Sequence, residues 1–172
     1  MMKLLYELID DQYENLGHDH VRKIVRGIVY NDKKEIALIH IKGDDIFGHR
    51  DYLETPGGGV EEGEELISAL RRELREELGA EVDDIQEIGE VKDFYNLIKR
   101  KNDQFYFMCH LVSLGNYHRT DEEKRLFDSI RWLPIDDAIS EIENTKRTKL
   151  STLVIRRELP ILLICKDKLG NL

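Results

Sequence analysis

The chain has 172 residues, of which 41% are hydrophobic and 35% are charged, a composition typical of a globular protein large enough to enclose a core. Its formal net charge of −9 argues against a general nucleic-acid binder and against a protein of anionic membrane surfaces, because both need a basic footprint. No apolar run reaches the length of a membrane span and no signal-peptide pattern is present, which favours a cytoplasmic protein.

The N-terminal residues are interpreted as an extension of one domain. A weak helical spacing of apolar residues favours a short amphipathic helix over a first strand, and the residues concerned are Leu4, Leu5, Leu8 and Ile9. Because no linker or repeat follows, we expect residues 1–172 to form a single domain with residues 1–19 as its N-terminal extension. The extension either packs on its own domain or helps to form a homodimer.

A β-hairpin is predicted next. Residues 24–30 and 35–41 are rich in β-branched side chains and are joined by a tight polar turn. Arg22 and Arg26 alternate on one face of the first strand. The residues that follow the hairpin, 42–54, are polar and predict a loop.

The stretch that organises the chain begins with three glycines after a proline. In residues 57–59 the backbone can reach conformations that a side chain would forbid. The run from Glu65 to Leu78 consists of helix-forming residues, and Gly79 stands where the helix would end. Its leucines recur every four residues and form an apolar stripe for the core: Leu66, Leu70, Leu74 and Leu78.

Three carboxylates lie on one face of this helix. Glu73, Glu76 and Glu77 are three and four positions apart, and such residues are neighbours on a helix surface. They repel one another unless a cation joins them. Oxygen ligands without thiols or imidazoles suit a hard divalent ion, so the face predicts a site for Mg²⁺ or Mn²⁺. A solvated acidic face is the alternative.

Beyond the helix the chain returns to strand. Residues 82–94 form one bent strand or two short ones, and the basic residues 99–101 form an exposed turn or a phosphate-facing loop. Residues 104–114 predict a central strand whose faces are both largely apolar, so both must be covered and an α/β/α sandwich is expected. Cys109 and Cys165 lie in apolar runs and are interpreted as buried side chains rather than a disulfide framework.

The C-terminal part alternates loop, strand and helix. Residues 115–128 predict a polar loop, residues 130–134 a short strand, and residues from 135 onward a helix with an aspartate at its N-terminal cap. Residues 146–158 predict a closing amphipathic helix that Pro160 kinks or ends.

Residues 58–80 resemble the Nudix box, the motif of the Nudix hydrolases. The box consists of glycine, five residues, glutamate, seven residues, and then arginine, glutamate, an apolar residue, any residue, two glutamates, any residue and glycine. The chain matches it at Gly58, Glu64, Arg72, Glu73, Leu74, Glu76, Glu77 and Gly79, with Ala80 where a larger aliphatic residue is usual. The resemblance implies the Nudix fold, an α/β/α sandwich with a mixed sheet.

Members of that family hydrolyse a diphosphate linkage in a nucleoside diphosphate joined to another group. The resemblance therefore implies a Mg²⁺-dependent (or Mn²⁺-dependent) enzyme acting on a small-molecule phosphoanhydride. It makes Glu73, Glu76 and Glu77 metal ligands, with Glu73 also a candidate base, and adds the Gly57 or Gly58 carbonyl as a further oxygen donor.

The resemblance implies other roles less directly. Glu64 and Arg72 would hold the loop and the helix together by charge-assisted hydrogen bonds. Candidates for contact with substrate, or for an extra carboxylate at the metal, lie outside the box: Arg26, His49, Arg50, Glu122 and Glu123. For Arg26 a solvent-facing role is an equal alternative.

Two questions stay open at this point. A binding module that kept the fold and lost catalysis is the alternative to an enzyme, although every carboxylate of the box is present. The substrate is either a nucleoside triphosphate or a nucleotide sugar. The absence of proline between Pro56 and Pro134 weakens the ADP-ribose subclass, and Tyr95 gives weak support for dinucleoside polyphosphates.

Overall fold

The computed structural model describes residues 1–172, apart from the side chain of residue 122. Its elements are β1 (Leu4–Glu7), β2 (His20–Tyr30), β3 (Glu35–Asp45), β4 (Gly48–Glu54), β5 (Gly57–Gly59), α1 (Leu66–Leu78), β6 (Ala80–Tyr95), a 3₁₀ turn (Asn96–Ile98), β7 (Arg100–Leu114), α2 (Asp121–Leu126), β8 (Phe127–Pro134), α3 (Ile135–Glu143) and α4 (Lys149–Gly170). The strands form one sheet in the order β1-β6-β7-β2-β3-β4, with β5 paired to β2 and β8 paired to β3.

Helices cover both faces of this sheet. On one face, α1 buries Leu74 in a cluster with Val25 and Phe107. On the other face, residues of α3 and α4 share a cluster with Tyr106 and Met108. Strand β7 pairs parallel with β2 and antiparallel with β6, so the sheet is mixed. Its side chains alternate between the two cores, which confirms the predicted central strand and the α/β/α sandwich.

Helix α1 begins and ends where the sequence predicts. Glu65 is its N-cap residue, and Gly79 at the C-cap has a φ of 69°, a conformation that favours glycine. Cys109 and Cys165 are buried free thiols, as expected. Among the helices that the structure describes, none combines the length and apolar character that crossing a bilayer requires.

The N-terminal helix prediction was wrong, because residues 4–7 form strand β1. The strand runs parallel to β6 and provides hydrogen-bond partners for its backbone. For example, the Glu90 N–H donates to the Lys3 carbonyl at 2.8 Å. Leu5 fills the space beside Gly89, where a Cβ atom would lie 2.4 Å from its side chain. Backbone pairing at a sheet edge therefore outweighs a weak helical spacing.

Two segments predicted as polar loops contain regular structure. Residues 42–54 hold the end of β3 and all of β4, which pair antiparallel. Residues 115–128 hold α2, in which Thr120 and Glu123 form a capping box. Antiparallel strands can carry polar side chains on a solvent-facing side, so polarity alone did not distinguish a hairpin from a loop.

The predicted aspartate cap of the helix after residue 135 was wrong, and the helix predicted over residues 146–158 does not end at Pro160. Pro134 occupies the cap position of α3, and Asp136 and Asp137 lie in its first turn without a side-chain cap. Helix α4 continues through Pro160 to Gly170. Its side chains beyond the proline remain in the core, so tertiary packing outweighs the missing backbone hydrogen bond.

Candidate active site

The glycine loop lies between β2 and the acidic face of α1. Gly57 stands opposite Arg26 in the antiparallel pair of β5 and β2. It has a φ of 153°, and a Cβ atom there would lie 2.0 Å from the Val25 carbonyl oxygen, so a side chain is excluded. A Cβ atom at Gly58 would lie 2.3 Å from Glu73 Oε2. The loop backbone thus contacts a carboxylate of the box.

Three carboxylates converge beside this loop. Glu73, Glu77 and Glu123 each place one oxygen within 4.8 Å of the others. Glu73 is buried, whereas the other two are half-buried. The Gly57 N–H donates to Glu77 Oε2 at 2.8 Å. Such a set of oxygen donors, without sulfur or nitrogen, suits Mg²⁺ or Mn²⁺.

Glu76 lies outside this cluster, and its Oε2 is 3.4 Å from Arg72 Nη1. Arg72 donates two hydrogen bonds to Glu64, at 2.9 and 2.8 Å, and one to the Gly59 carbonyl at 2.9 Å. It also donates to Glu73 Oε1 at 2.7 Å. Through these contacts Arg72 joins the loop to the helix and orients one carboxylate of the cluster.

Burial acts on the charge state of two of the carboxylates. It raises the pKa of Glu73, against the opposing effect of the Arg72 guanidinium. It also raises the pKa of Glu77 well above the ordinary value, with the Gly57 N–H opposing and the charge of Glu54 adding to the rise. Glu77 keeps part of its surface open to the cavity, and burial of the rest disfavours its charged form. A cation beside it would remove this cost.

Glu123 is supplied by α2, which two contacts hold against the end of α1. Arg119 donates to the Glu77 carbonyl oxygen from Nε at 3.2 Å and from Nη2 at 2.7 Å. The Arg119 guanidinium carbon lies 3.2 Å from the centre of the Phe127 ring, which keeps it in place. The other acidic candidate of this segment, Glu122, lies outside the described side chains.

A cavity of about 430 Å³ opens beside the cluster and is lined by Glu77, Glu123, Gly57 and Gly58. Arginines from three strands and a helix also line it, namely Arg22, Arg26, Arg50, Arg100 and Arg157. Its apolar lining includes Ile41, Phe47, Tyr95, Ile98 and Leu150. Carboxylates, guanidinium groups and apolar side chains therefore share one cavity.

The arginines that line the cavity differ in their hydrogen-bond and ion-pair partners. Arg26 is buried and donates to Gln104 Oε1 at 2.6 Å and to the Thr55 carbonyl at 2.8 Å, so the protein itself occupies much of its guanidinium. Arg22 and Arg100 have no carboxylate within 4 Å among the described side chains. Burial and the nearby charge of Arg22 lower the pKa of Arg100. These two arginines form a positive patch that makes no salt bridge with a described side chain.

The structure separates the two predicted residues of β4. Arg50 lines the cavity, where it pairs with Asp45 and donates to the Tyr52 hydroxyl at 2.9 Å. His49 is exposed beside Asp44, at 2.9 Å, and lines a different cavity of about 540 Å³. His49 is therefore not brought to the box.

Sequence reasoning missed a buried ionic network beneath the cavity. Arg157 of α4 donates to Glu54 Oε2, to the Tyr95 hydroxyl and to Glu158 Oε1, each at 2.8 Å. Glu158 Oε2 accepts the Thr55 N–H at 3.0 Å. The network fixes the backbone just before the glycine loop. The available signal was a group of two arginines and a glutamate inside an otherwise apolar run, residues 153–165.

Comparisons with known proteins agree with the fold and with the family that the sequence resembles. A family model described as NUDIX domain matches residues 20–153. Nudix hydrolase 7 of Arabidopsis thaliana is 24% identical over 119 residues, or 69% of this chain, and the match spans 41% of the plant protein. An RNA pyrophosphohydrolase of Francisella tularensis is 31% identical over 120 residues, or 60% of this chain and 77% of that protein.

A solved structure supports the same fold. The NUDIX hydrolase from Nitrosomonas europaea matches with a TM-score of 0.59 and 21% identity, covering 78% of this chain and 86% of its own. The family model covers most of the residues, including the whole glycine loop and helix α1. This chain therefore belongs to the Nudix hydrolase family and is a pyrophosphohydrolase of the Nudix type.

Proposed function

We propose that this enzyme hydrolyses a diphosphate linkage in a nucleoside diphosphate derivative with the help of a divalent metal ion. The convergence of Glu73, Glu77 and Glu123, in a cavity that arginines also line, carries the proposal. In the reaction the oxygen of water bonds to one phosphorus, the bridging P–O bond of the anhydride breaks, and two phosphorylated products separate.

Glu73, Glu77 and Glu123 would hold the ion, with a carbonyl oxygen of Gly57 or Gly58 as a further donor. Mg²⁺ is the proposed ion, and Mn²⁺ is a substitute. When bound, the ion would neutralise phosphate charge and promote the attack of water. The raised pKa of Glu77 supports this assignment, because a buried carboxylate ionises readily only beside compensating positive charge.

Arg22 and Arg100 are the proposed contacts for the phosphates of the substrate. Guanidinium groups without a carboxylate partner can offer their N–H groups to phosphate oxygens. Arg26, which the protein already engages, is proposed to hold the loop backbone instead. Phe47 and Ile98 belong to the apolar lining, where a nucleobase would pack. Both a nucleoside triphosphate and a nucleotide sugar fit this combination.

A substrate panel tests the proposal. The purified protein would be incubated with nucleoside triphosphates, nucleotide sugars, a dinucleoside polyphosphate and an RNA with a 5′-triphosphate, the last because of the relative named RNA pyrophosphohydrolase. We expect release of a phosphorylated product from at least one nucleotide with Mg²⁺ and none with EDTA. Nucleotide binding without turnover would favour a binding module, and equal release in EDTA would contradict the role of the ion.

Substitution of Glu77 tests the ion site directly. Glu77→Gln should lower turnover by orders of magnitude and leave the melting temperature nearly unchanged, because an amide oxygen can still accept the Gly57 N–H. Steady-state kinetics and thermal melts measure the two effects. Glu62→Gln, at an exposed position in the turn between β5 and α1, is the matched control. Full Mg²⁺-dependent activity in Glu77→Gln would exclude this residue as a ligand.

A further inference from the structure

The segment that precedes the Nudix match is attached to the wall of the substrate cavity. We call residues 8–18 the N-terminal strap. Asn96 is buried, and its backbone N–H and side-chain amide bind the strap. The N–H donates to Asp10 Oδ2 at 2.8 Å, and Nδ2 donates to the carbonyls of Asp10, at 3.0 Å, and Tyr13, at 2.9 Å. Its Oδ1 lies 2.9 Å from His18 Nε2.

Asp10, which binds Asn96, also organises the backbone of the strap. Asp10 is buried, and its Oδ1 accepts the N–H groups of Gln12 and Tyr13 at 2.9 and 3.1 Å. Buried polar groups are costly without partners, and here the strap and Asn96 satisfy each other. The His18 ring also packs on Phe94, with centroids 4.6 Å apart. The strap is therefore held by buried hydrogen bonds and by ring packing. We call its contact residues, Phe94 and Asn96, the seat of the strap.

The strap contacts residues next to the cavity at two places, Asn96 and Phe47. Asn96 opens the 3₁₀ turn that ends at Ile98, and Ile98 lines the cavity together with its neighbour across the turn, Tyr95. At the second place, Tyr13 packs edge-to-face on Phe47, with centroids 6.0 Å apart, and its hydroxyl donates to the Phe47 carbonyl at 3.4 Å. Phe47 in turn packs on Tyr95 at 5.9 Å.

In the part of the chain that the structure describes, the cavity lining begins at Arg22, so the strap supports the wall from behind. The residues it supports are the aromatic and apolar ones. The carboxylates are held separately, by Arg72 on α1 and by Arg119 before α2. These two supports of the carboxylates do not include the strap.

We propose that the N-terminal strap positions the apolar wall that receives the base of a nucleotide substrate, and so determines affinity for the base without acting on the diphosphate chemistry. This inference rests on the proposed function for the presence of a nucleotide. Loss of the Tyr13 contact would loosen Phe47, and with it the aromatic contact to Tyr95.

The test compares a ligand that has a base with one that lacks it. The α,β-methylene analogue of ADP and methylenediphosphonate both carry a diphosphate that cannot be hydrolysed, and only the first carries a base. In calorimetric titrations with Mg²⁺, Tyr13→Ala should weaken binding of the ADP analogue roughly tenfold, the scale of one aromatic contact, and leave that of methylenediphosphonate unchanged. Leu16→Ala, an exposed strap residue, is the control and should change neither.

Asn96→Ala provides a second variant at the centre of the seat, and thermal melts of all three variants establish that they fold. Equal weakening of both ligands, or no weakening of either, in Tyr13→Ala would overturn the inference. A wild-type protein that binds methylenediphosphonate but not the ADP analogue would also overturn it, while leaving hydrolysis of a base-free diphosphate in place. In turnover assays the strap variants should raise KM for a nucleotide substrate and leave kcat unchanged.

Discussion

At Gly58 the loop backbone passes close to the acidic cluster. A methyl group there would lie 2.3 Å from Glu73 Oε2, so the carboxylate or the loop must move. We expect Gly58→Ala to lower kcat by about 100-fold, the effect of a displacement of about 1 Å at a reacting centre. Gly115→Ala is the control, because its nearest neighbour would be 3.8 Å away. Equal rates for both variants would contradict the close contact.

Glu123 provides a second test at the residue scale. Glu123→Gln should raise the Mg²⁺ concentration for half-maximal activity by about tenfold or more, because the cluster loses a charged oxygen donor. The stability of the Glu123→Gln variant should equal that of the wild type, because glutamine also completes a capping box with Thr120. Activity assays across a range of Mg²⁺ concentrations measure this half-maximal value for the variant and the wild type. A larger effect from Glu76→Gln would mean that the ion binds on the other side of α1.

The sequence could place Glu73 and Glu77 on one helix face, because helical spacing alone fixes that relation. It placed Glu76 with them, whereas the structure turns this side chain toward Arg72. Which oxygens converge depends on the loop that approaches the helix, and no periodicity within the helix contains that information. Glu123 joins the cluster from a helix that the polar pattern of residues 115–128 concealed.

Helix α4 acts on the site through one buried carboxylate. Glu158 accepts hydrogen bonds from the Thr55 N–H, from the Tyr106 hydroxyl at 2.8 Å and from Arg157 Nε. Burial opposes its ionisation, but the charges of Arg157 and Arg26 outweigh burial and lower the pKa of Glu158. The helix thus holds an anion against the strand that leads into the glycine loop.

Glu158→Gln should therefore destabilise the fold by about 3 kcal/mol. Glutamine offers one acceptor oxygen, so its NH₂ group must face either the Thr55 N–H or Arg157, both of which are donors. Urea denaturation of the variant and the wild type measures the change. Glu143→Gln, exposed on α3, should leave stability unaltered. An unchanged midpoint for Glu158→Gln would show that the buried carboxylate is already protonated.

At the scale of elements, the apolar patterns that bury a whole face were predicted correctly, as in α1 and β7. Elements that depend on partners distant in the chain were not. Strand β1 forms because β6 has an edge to complete, and α4 passes Pro160 because the residues beyond it are buried. Local propensity contains neither fact, and tertiary context decides both.

The whole molecule combines a net charge of −9 with a cavity that five arginines line. Charges separated by more than about 8 Å are largely screened at physiological ionic strength, so the distant acidic surface repels a phosphate only weakly. The local arrangement then controls binding: two arginines without carboxylate partners among the described side chains, beside carboxylates that suit a cation. Composition gave the overall sign of the charge, and only the fold gave its distribution.

The pH dependence of stability includes a contribution from His110, which joins three parts of the chain. His110 on β7 bridges Asp32, at 2.7 Å, in the turn after β2, and Asp83, at 2.9 Å, on β6. These two carboxylates raise the pKa of His110 above its ordinary value.

A raised pKa in the folded state means that folding favours the protonated ring. The added stability is fully present below about pH 6.5, the unfolded value, and is lost as the pH rises through the folded value. Wild type should therefore exceed His110→Gln in free energy of unfolding at pH 5.5, and the difference should shrink by pH 8.5. Urea denaturation at both values measures it. Because both aspartates are exposed, the effect should be small, and Asp83→Asn should reduce it further. A difference that grows with pH would show that the neutral ring makes the stabilising contact.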